Sequence, residues 1–563
     1  MIDPNGFFIQ FIKLAGPFWR SEHKDTIRKL SLALFVLTMM QIVIAVVITE
    51  WSAALFNALD QRSMTGFFTQ IGLVVLIFIA NIAVTTTHFK IKRRLQLDWR
   101  SWLTEQLTGQ WMHDGRHFLV IHTVGKHDNP DGRIAEDVRI ATESAIDLCH
   151  SLVFSVLLLG SFTKILWTLS GVVTLDIGIF QIPIYGHLVW LALLYAVSAS
   201  VLGWWIGKPL TNATDIRQTM EANFRYGLVN ARENSLAIAL VHGEANEQHR
   251  FHNLFGDIVG AWQRQTQAWA NIFIFSSGYS ILSMAFPVLV AAPRYIQGSI
   301  PLGALMQSAQ SFQQMAAALS WPVDNMAKIA EWRASVERVL GLNHALEALE
   351  YQLNMPHPHR IRLEKPDRPV LRIVDLCLRN SNDEVIVSGI NAELRRGDRL
   401  LIKGDTLTAG KVFRAISGLW PWGCGSIELP NGDPMFFMPP RPYLRSGTLR
   451  DAICYPSPGD TFSQEEMEQA LKLTGLDELL GQLDQADAWE KVLSREQQQR
   501  LGMVRLLLYK PKWILMQEAF DSLTPEGESS MLRLIAQQLP EAGMLTIMNQ
   551  PTADAYHQRQ LIL

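Results

Sequence analysis

Long apolar stretches separated by charged segments occupy the first part of the chain. A bilayer core of about 30 Å requires roughly 20 mostly apolar residues in a helix. Five stretches are long enough: residues 30–49, 63–89, 148–170, 186–207 and 270–292. The third of them contains one charged residue, Lys164. A sixth stretch, residues 302–323, is uncharged but rich in glutamine. The pattern predicts six membrane-spanning helices.

Basic residues alternate between the segments that connect these stretches. The N-terminal segment and residues 90–147 and 208–264 are rich in lysine and arginine. Of the three intervening loops, the first carries only Arg62, the second carries no basic residue, and the third carries only Arg294. Because cytoplasmic loops carry the excess of basic residues, both termini are predicted to be cytoplasmic.

Three glutamines in the sixth stretch are spaced so that they share one helix face. Gln307, Gln310 and Gln314 are three and four residues apart. Polar residues inside a span are costly and usually face a cavity, so this face is a candidate lining for a translocation path. Glutamine also forms hydrogen bonds between helices, which is an equally weighted alternative.

The character of the chain changes after residue 330. Residues 331–367 read as an amphipathic helix and a linker, and residues 368–563 alternate short apolar strands with helical patterns. The runs "RLLIKG" at 399–404 and "WILMQE" at 513–518 are typical of buried parallel strands. The predicted domains are therefore a six-span membrane domain over 1–330, a connector, and an α/β domain over 368–563.

Composition excludes several other functions. The net charge is −3, which gives no case for a nucleic-acid partner. The four cysteines lie far apart without a CxxC pair, so no metal site or disulfide framework is expected. The mean hydropathy of +0.10 agrees with an apolar membrane domain.

The motifs of both domains resemble those of an ABC transporter half. The stretch "KVLSREQQQRLGMVRLLLYKPKWILMQEAFDSL" resembles the signature and Walker B region of an ATP-binding domain. In the membrane part, "DNPDGRIAEDV" at 128–138 and "EANFRYGLVNARENSLAIALVHGEANE" at 221–247 are similar to the SbmA/BacA-like, YddA-type family, which is related to peroxisomal fatty-acyl transporters. The resemblance implies an ABC exporter-like fold, two halves around one path, and ATP with Mg²⁺ as the nominal cofactors.

The segment "GDTLTAGKVF" at 404–413 departs from the phosphate loop that this resemblance implies. The loop pattern G-x-x-x-x-G-K-[ST] places backbone amides and a lysine on the phosphates and a hydroxyl on Mg²⁺. Here five residues separate Gly404 from Gly410, and Val412, which has no oxygen ligand in its side chain, follows Lys411. Gly404, Gly410 and Lys411 are the candidate nucleotide-binding residues.

Other ABC motif positions are also substituted. The resemblance implies that Glu518 is the nominal general base, and the substituted positions are Val412, Pro440, Glu496, Gln517, Thr524 and Asn549. They replace groups that bind Mg²⁺, contact the γ-phosphate and position water. Because phosphoryl transfer depends on positioning and electrostatics, ATP hydrolysis is expected to be absent or very slow, and ATP binding weak.

The expected function is transport of a peptide-like or other small organic cargo across the inner (plasma) membrane by a dimer. A homodimer and a heterodimer with an intact ABC half are both open. Two other functions remain alternatives: a proton-driven SbmA/BacA-like carrier with a vestigial nucleotide domain, and a membrane scaffold without transport.

Overall fold

The computed structural model describes six ranges of the chain: 4–122, 129–177, 180–354, 360–380, 384–548 and 555–563. The chain forms two compact units. One contains Met1–Thr108 and Asn129–Leu342, and the other contains Gly109–Asp128 and Asn343–Leu563. The short segment from Gly109 to Asp128 therefore belongs to the unit that also contains the C-terminal part of the chain.

Helices make up nearly all of the first unit. The first eleven α-helices of the chain are α1 (Pro4–Ala15), α2 (Lys24–Asp60), α3 (Met64–Met112), α4 (Arg116–Leu119), α5 (Pro130–Gly132), α6 (Val138–Ser170), α7 (His187–Glu233), α8 (Ser235–Leu240), α9 (Glu244–Ile296), α10 (Leu302–Asp324) and α11 (Met326–Asn354). Of these, α4 and the C-terminal ends of α3 and α11 belong to the second unit. Between α6 and α7, strands β1 (Val172–Ile177) and β2 (Phe180–Tyr185) pair antiparallel.

Among the described residues, five helical segments are long and apolar enough to cross a membrane. They contain α2, α3, α6, α7 and α9, and they match the first five predicted spans. The sixth predicted span forms α10, which is less apolar because of its glutamines and is not among those five. Five candidate spans are therefore supported, and the sixth stays a prediction.

Helices α2 and α10 approach each other closely at Gly303. A Cβ atom at this glycine would lie 2.1 Å from the carbonyl oxygen of Ala53. The backbone amide of Gly303 donates to Asn57 Oδ1 at 2.8 Å. The missing side chain thus allows backbone contact between two helices, as small residues commonly do in membrane proteins.

The second unit is built on two sheets and a peripheral strand pair. Its strands are β3 (Arg362–Glu364), β4 (Val370–Arg379), β5 (Val385–Arg395), β6 (Arg399–Lys403), β7 (Gly423–Glu428), β8 (Met435–Met438), β9 (Gly447–Thr448), β10 (Ala486–Asp487), β11 (Trp513–Gln517), β12 (Gly543–Ile547) and β13 (Arg559–Ile562). One sheet has the order β13-β6-β12-β11-β8 and is parallel throughout, and the other has the order β3-β7-β4-β5. The predicted parallel α/β sheet is confirmed.

Six helices accompany these strands: α12 (Thr406–Ile416), α13 (Leu449–Cys454), α14 (Gln464–Leu473), α15 (Trp489–Val492), α16 (Arg495–Tyr509) and α17 (Pro525–Gln538). The strand β11 is almost wholly buried because its alternate side chains pack into two apolar clusters, Ile514 and Met516 into one and Trp513 and Leu515 into the other. Helix α12 packs in one apolar cluster against the sheet, and α16 packs in another. Because the strands of this sheet are parallel, the carboxyl ends of β6, β11 and β8 lie at one edge. Ligands bind at this edge in open parallel sheets.

Candidate nucleotide-binding site

The carboxyl edge of the parallel sheet brings several predicted site residues together. Gly404 follows β6, Gln517 ends β11, and Pro440 follows β8 by one intervening residue. A Cβ atom on Gly410 would lie 2.9 Å from Gln517 Nε2, so α12 packs directly against the end of β11. Sequence reasoning therefore selected residues that share one edge of the fold.

The segment expected to form a phosphate loop is mostly helical. After Gly404, with φ +151°, and Asp405, helix α12 begins at Thr406. Asp405 Oδ2 accepts hydrogen bonds from the amide and the hydroxyl of Thr408, both at 2.9 Å. The amide of Thr408 holds the pKa of the Asp405 carboxyl below its usual range, and its hydroxyl acts in the same direction. The carboxylate thus caps the N-terminus of the helix.

Lys411 lies in the second turn of α12 and its side chain approaches an aromatic ring. Its Nζ is 5.4 Å from the ring centroid of Trp420. This is a cation–π distance, at which a lysine is stabilised by the face of an indole. Trp420 itself is buried, and its Nε1 donates to the carbonyl of Arg379 at 3.0 Å.

Val412 is fully buried in the apolar cluster between α12 and the sheet. A position that binds Mg²⁺ in a phosphate loop carries a hydroxyl exposed to the nucleotide. At this position the chain instead uses a branched apolar side chain as part of the core, with Ile416 and Leu400 in the same cluster.

Glu518 directly follows β11 in a left-handed backbone conformation, with φ +45°. Its amide donates to the carbonyl of Ile547 at 2.8 Å, which anchors the turn to the neighbouring strand. Its Oε1 accepts a hydrogen bond from Thr406 Oγ1 at 3.3 Å. The nominal general base is therefore linked to the first residue of α12.

Pro440 is held by a glutamine of α16. Gln499 Nε2 donates to the carbonyl oxygen of Pro440 at 3.0 Å and to the carboxylate of Asp521. Gln499 Oε1 accepts from the amide of Ser522 at 3.0 Å. One buried amide side chain thus joins the loops that follow β8 and β11.

Two further predicted positions lie at helix N-termini and bond within their own helices. Glu496, in the first turn of α16, accepts from Arg500 Nη2 at 2.8 Å and Nε at 3.0 Å. Its charge is therefore paired within the chain. Thr524 is the N-cap of α17, where its hydroxyl accepts from the amide of Gly527. Asn549 lies outside the described residues.

A short segment before α5 packs beside this site within the same unit. The His122 ring lies 5.6 Å from the Trp420 ring, edge to face, and Arg414 lies over the ring of Phe118 at 5.8 Å. A Cβ atom on Gly115, which has φ +71°, would lie 2.6 Å from Leu419. Trp420 therefore contacts Lys411 on one side and this segment on another.

The glutamines of α10 have different surroundings. Gln310 Nε2 donates to Ser52 Oγ of α2 at 2.8 Å, which is the hydrogen bonding between helices that sequence reasoning held as an alternative. Gln307 is half-buried and Gln314 is exposed. Of the three, Gln314 has the most exposed side chain.

Sequence reasoning missed Asp405 and Trp420. The signal for Asp405 was readable, because aspartate directly before a helix is a common N-cap. The comparison with the phosphate-loop pattern selected Gly410 and Lys411 instead. The contact between Lys411 and Trp420 joins positions nine residues apart through a turn after α12, which no motif spacing indicates.

Comparisons with known proteins agree with this architecture. Residues 18–296 match the family model described as ABC transporter transmembrane region 2. The chain is 28% identical over 560 residues to the Escherichia coli inner membrane ABC transporter ATP-binding protein YddA, covering 96% of this chain and 95% of the relative. It is 28% identical to the chloroplastic ABC transporter D family member 2 of Arabidopsis thaliana, covering 98% and 85%.

More distant relatives extend the same likeness. The human lysosomal cobalamin transporter ABCD4 is 24% identical, with coverage of 94% of this chain and 90% of the relative. A bacterial Atm1-family ABC exporter solved with ATP bound superposes with a TM-score of 0.69 at 16% identity, covering 95% and 93% of the two chains. This last likeness concerns the fold alone.

The fold and the sequence matches support an ABC half-transporter, in which a helical membrane domain is followed by an α/β domain. Among such proteins, the chain is similar to YddA and to D-family ABC transporters.

Proposed function

We propose that this chain forms a homodimeric transporter of the inner (plasma) membrane, with six spans and both termini cytoplasmic. It moves a peptide-like or other small organic cargo, and its nucleotide site hydrolyses ATP very slowly or not at all. The basic-residue pattern supports the orientation, and the six predicted spans include the glutamine-rich α10.

One observation carries the proposal for the nucleotide site: the carboxylate of Asp405 occupies the helix N-terminus at the end of β6. A helix N-terminus binds phosphate because its free amides and positive dipole end face the anion. Here Asp405 already takes the amide of Thr408 and places a negative charge at this end. A triphosphate would have to displace the carboxylate and would be repelled by it.

Two neighbouring side chains support the same conclusion. Lys411, which would reach the β- and γ-phosphates, lies over Trp420, and Val412, which would hold Mg²⁺, is buried in the core. The residues present therefore do not fit Mg²⁺ and a triphosphate in the usual phosphate-loop arrangement. Because removal of one electrostatic stabiliser typically lowers the rate by ~100–1000-fold, losses at several positions leave little hydrolysis.

Phosphate release by the purified full chain in lipid nanodiscs tests this proposal. With Mg²⁺ and ATP, we expect release at the level of the protein-free background. Lys411→Ala and Glu518→Gln should leave it unchanged, as should the exposed-surface control Lys472→Ala. Turnover of about one per second or faster, lost in Lys411→Ala but kept in Lys472→Ala, would contradict the proposal.

A second measurement separates the energy sources. Cargo uptake in vesicles that stops with a protonophore but ignores ATP favours a proton-driven carrier. Uptake that needs ATP and co-purification of an intact ABC half favours a heterodimer. A phenotype without any cargo dependence favours a scaffold.

A further inference from the structure

A cavity of about 490 Å³ lies in the first unit, where the N-terminal segment packs against the membrane helices. Its walls come from α1, from the short helical turn Gly16–Arg20, and from α2, α3 and α6. Cavities of this size hold small organic molecules or parts of larger ones. No residue of the glutamine-rich helix α10 borders it, so it is separate from the candidate translocation path.

The cavity has mostly apolar walls and opens onto an exposed apolar surface. Ile12 of α1 and Phe35 of α2 both border it, although they are 64% and 50% exposed. On α1, Phe8 and Ile9 are exposed as well. A helix with such a face lies at the boundary between lipid headgroups and acyl chains. The opening is therefore directed toward the hydrocarbon of the bilayer.

One polar atom in the wall of this cavity is buried without a partner. Trp19 Nε1 donates to Ser31 Oγ at 3.3 Å, and Thr38 Oγ1 donates to the carbonyl oxygen of Leu34 at 2.8 Å. Trp99 is only 3% exposed, and its Nε1 has no hydrogen-bond partner among the described residues. Because buried polar atoms are nearly always bonded, this N–H indicates a ligand with an acceptor atom.

His150 also borders the cavity with an unpartnered Nε2. Its side chain lines a second cavity as well, of about 310 Å³, whose walls include the uncharged polar residues Gln41 and Thr85. That second cavity is polar and large enough for water, which would serve the imidazole. The N–H of Trp99 is therefore the donor that an occupant of the apolar cavity has to satisfy.

Trp99 lies at the end of the cavity near the membrane surface. Its ring is 5.2 Å from that of Trp19, which is bonded to Ser31 at the start of the first apolar stretch. Thr38 and Val153 border the cavity farther into the apolar stretches of α2 and α6. The cavity thus runs from the surface into the hydrocarbon region, with an N–H donor at its surface end.

The segment that leads into α2 is rich in exposed basic side chains. It contains two carboxylates, Glu22 and Asp25, against five basic residues, so it carries a net positive charge. In the part of the chain that the structure describes, none of the five forms an ion pair. Basic clusters directly before a span attract anionic lipids. The five are Lys13, Arg20, Lys24, Arg28 and Lys29.

This basic segment flanks the surface end of the cavity. Arg20 directly follows Trp19, which borders the cavity. Arg28 precedes Ser31, another bordering residue, by about one helical turn. Cationic groups and an unpartnered N–H therefore occur together at the end of the cavity where a lipid headgroup would lie.

We propose that this cavity binds one acyl chain of an anionic phospholipid, whose phosphate lies on the basic segment and whose ester or phosphate oxygen accepts from Trp99 Nε1. Each part of the lipid has a matching partner. The chain removes the apolar walls from contact with water. The phosphate forms charge-assisted hydrogen bonds with arginine and lysine.

Other occupants fit this cavity less well. No aspartate, glutamate, lysine or arginine side chain borders it, so a free phosphate or a charged peptide has no ionic partner inside. A buried water needs two to four polar partners, and the apolar walls do not supply them.

The bound lipid stabilises the assembled N-terminal segment and membrane helices, because it binds the folded chain and not the unfolded one. With both termini cytoplasmic, the site lies in the cytoplasmic leaflet, whose surface is negatively charged. This choice of leaflet rests on the proposed orientation. Lipid binding itself depends neither on transport nor on ATP.

The lipids retained by the purified full chain test the proposal. The chain is reconstituted in nanodiscs of equal parts phosphatidylglycerol and phosphatidylcholine and transferred to detergent, and its bound lipids are counted by mass spectrometry. We expect phosphatidylglycerol to remain bound in several-fold excess over phosphatidylcholine. Retention of both lipids in equal amounts, or of neither, overturns the proposal.

Three variants locate the bound lipid. Gly16→Leu adds a side chain at the cavity wall, where no heavy atom lies within 4 Å of the Cβ position, and should remove the retained lipid. Trp99→Phe keeps an aromatic ring but loses the donor, so retention should fall several-fold. Arg20→Gln, Lys24→Gln and Arg28→Gln combined should abolish the preference for phosphatidylglycerol.

Matched controls carry the same changes elsewhere in the first unit. Gly256→Leu also has a free Cβ position, and the combination of Arg225→Gln, Arg232→Gln and Arg264→Gln changes exposed positions of α7 and α9. Both should retain lipid as the unsubstituted chain does. Equal retention by Gly16→Leu and Gly256→Leu would contradict the cavity assignment, and an unchanged preference in the N-terminal triple variant would contradict the headgroup contact.

A measurement on the unsubstituted chain covers variants that fail to fold. In detergent, phosphatidylglycerol should raise the melting temperature more than phosphatidylcholine does. Glycerol 1-phosphate at the same concentration should not raise it, because it lacks the acyl chain. Equal shifts with the two lipids, or the same shift with glycerol 1-phosphate, would be incompatible with the proposed site.

Discussion

The carboxylate of Asp405 accepts hydrogen bonds from both the amide and the hydroxyl of Thr408, and α12 begins directly after it. The residue before the helix determines whether its N-terminus can bind an external anion or is capped by the chain itself. With a small neutral residue, the free amides are available to an external anion. With aspartate, the anion is part of the chain, and the segment becomes a capped helix.

Replacing Asp405 with alanine should lower stability, because the first turn of α12 loses its cap. The expected cost is about 1 kcal/mol, the usual value for an N-cap. Asp405→Asn is the matched control, since asparagine caps equally well and only the charge is lost. Thermal melting of the full chain measures both, and equal melting of the two variants would contradict the capping role.

Asp433 should make the second unit sensitive to acid. Its Oδ2 lies 2.6 Å from Arg396 Nη2 and its Oδ1 lies 2.7 Å from Lys512 Nζ. The hydrogen bond from Arg396, followed by that from Lys512, lowers the pKa of this carboxyl to about 2. The folded pKa is thus below the unfolded value, so the stabilisation is present above about pH 4 and is lost as pH falls toward 2.

The measurement for Asp433 is stability as a function of pH. We expect Asp433→Asn to lower the melting temperature at neutral pH and to reduce the loss between about pH 4 and about pH 2. Asp484→Asn serves as the control, because that carboxylate pairs with Arg450 at an exposed position. Identical acid profiles for Asp433→Asn and the unsubstituted chain would contradict the prediction.

At the scale of elements, α2 and α10 form the tightest helix contact that the glycines reveal in the membrane domain. Gly303 brings the backbones together, and the hydrogen bonds of Asn57 and Gln310 join the two helices on either side. The glutamines predicted to share one face of α10 therefore have different surroundings. Gln310 forms a hydrogen bond to α2, and Gln314 is exposed.

Gly303→Ala should disrupt this contact, because the new methyl group would lie 2.1 Å from the Ala53 carbonyl oxygen. Overpacking of this kind costs about 1–3 kcal/mol. Gly256→Ala in α9 is the control, since no heavy atom lies within 4 Å of its Cβ position. Thermal melting should show a loss for the first variant and none for the second, and an unchanged melting temperature for Gly303→Ala would be inconsistent with this packing.

Gln314→Leu should lower cargo uptake several-fold without changing the melting temperature, because the polar side chain is exposed and makes the face of α10 hydrophilic. Gln313→Leu, an exposed neighbour on a different part of the helix, is the control. Uptake of a mixture of labelled peptides by reconstituted vesicles is the measurement. Equal uptake by both variants would remove Gln314 from the path.

At the scale of the whole molecule, strong apolar patterns predicted most of the architecture. The runs around Leu400 and Ile514 formed β6 and β11, because a strand in a parallel sheet that is covered on both faces is apolar throughout. The first five spans were equally clear. The glutamines that make α10 less apolar also weakened its signal as a span.

The parts that sequence reasoning did not predict depend on contacts between distant positions. The segment from Gly109 to Asp128 joins the C-terminal unit through rings such as His122 and Trp420, which are almost 300 residues apart in the chain. The direction of Lys411 likewise depends on where the turn after α12 places Trp420. Motif spacing pointed to residues that lie at one edge of the sheet, but it did not reveal that the carboxylate of Asp405 caps the helix N-terminus there.

Equilibrium binding of labelled ATP to the full chain, with and without Mg²⁺, tests the central claim most directly. Because Asp405 holds the helix N-terminus and Lys411 lies on Trp420, we expect binding no tighter than the millimolar range, unaffected by Mg²⁺ and by Lys411→Ala. Binding in the micromolar range that needs Mg²⁺ and is lost in Lys411→Ala would contradict the account.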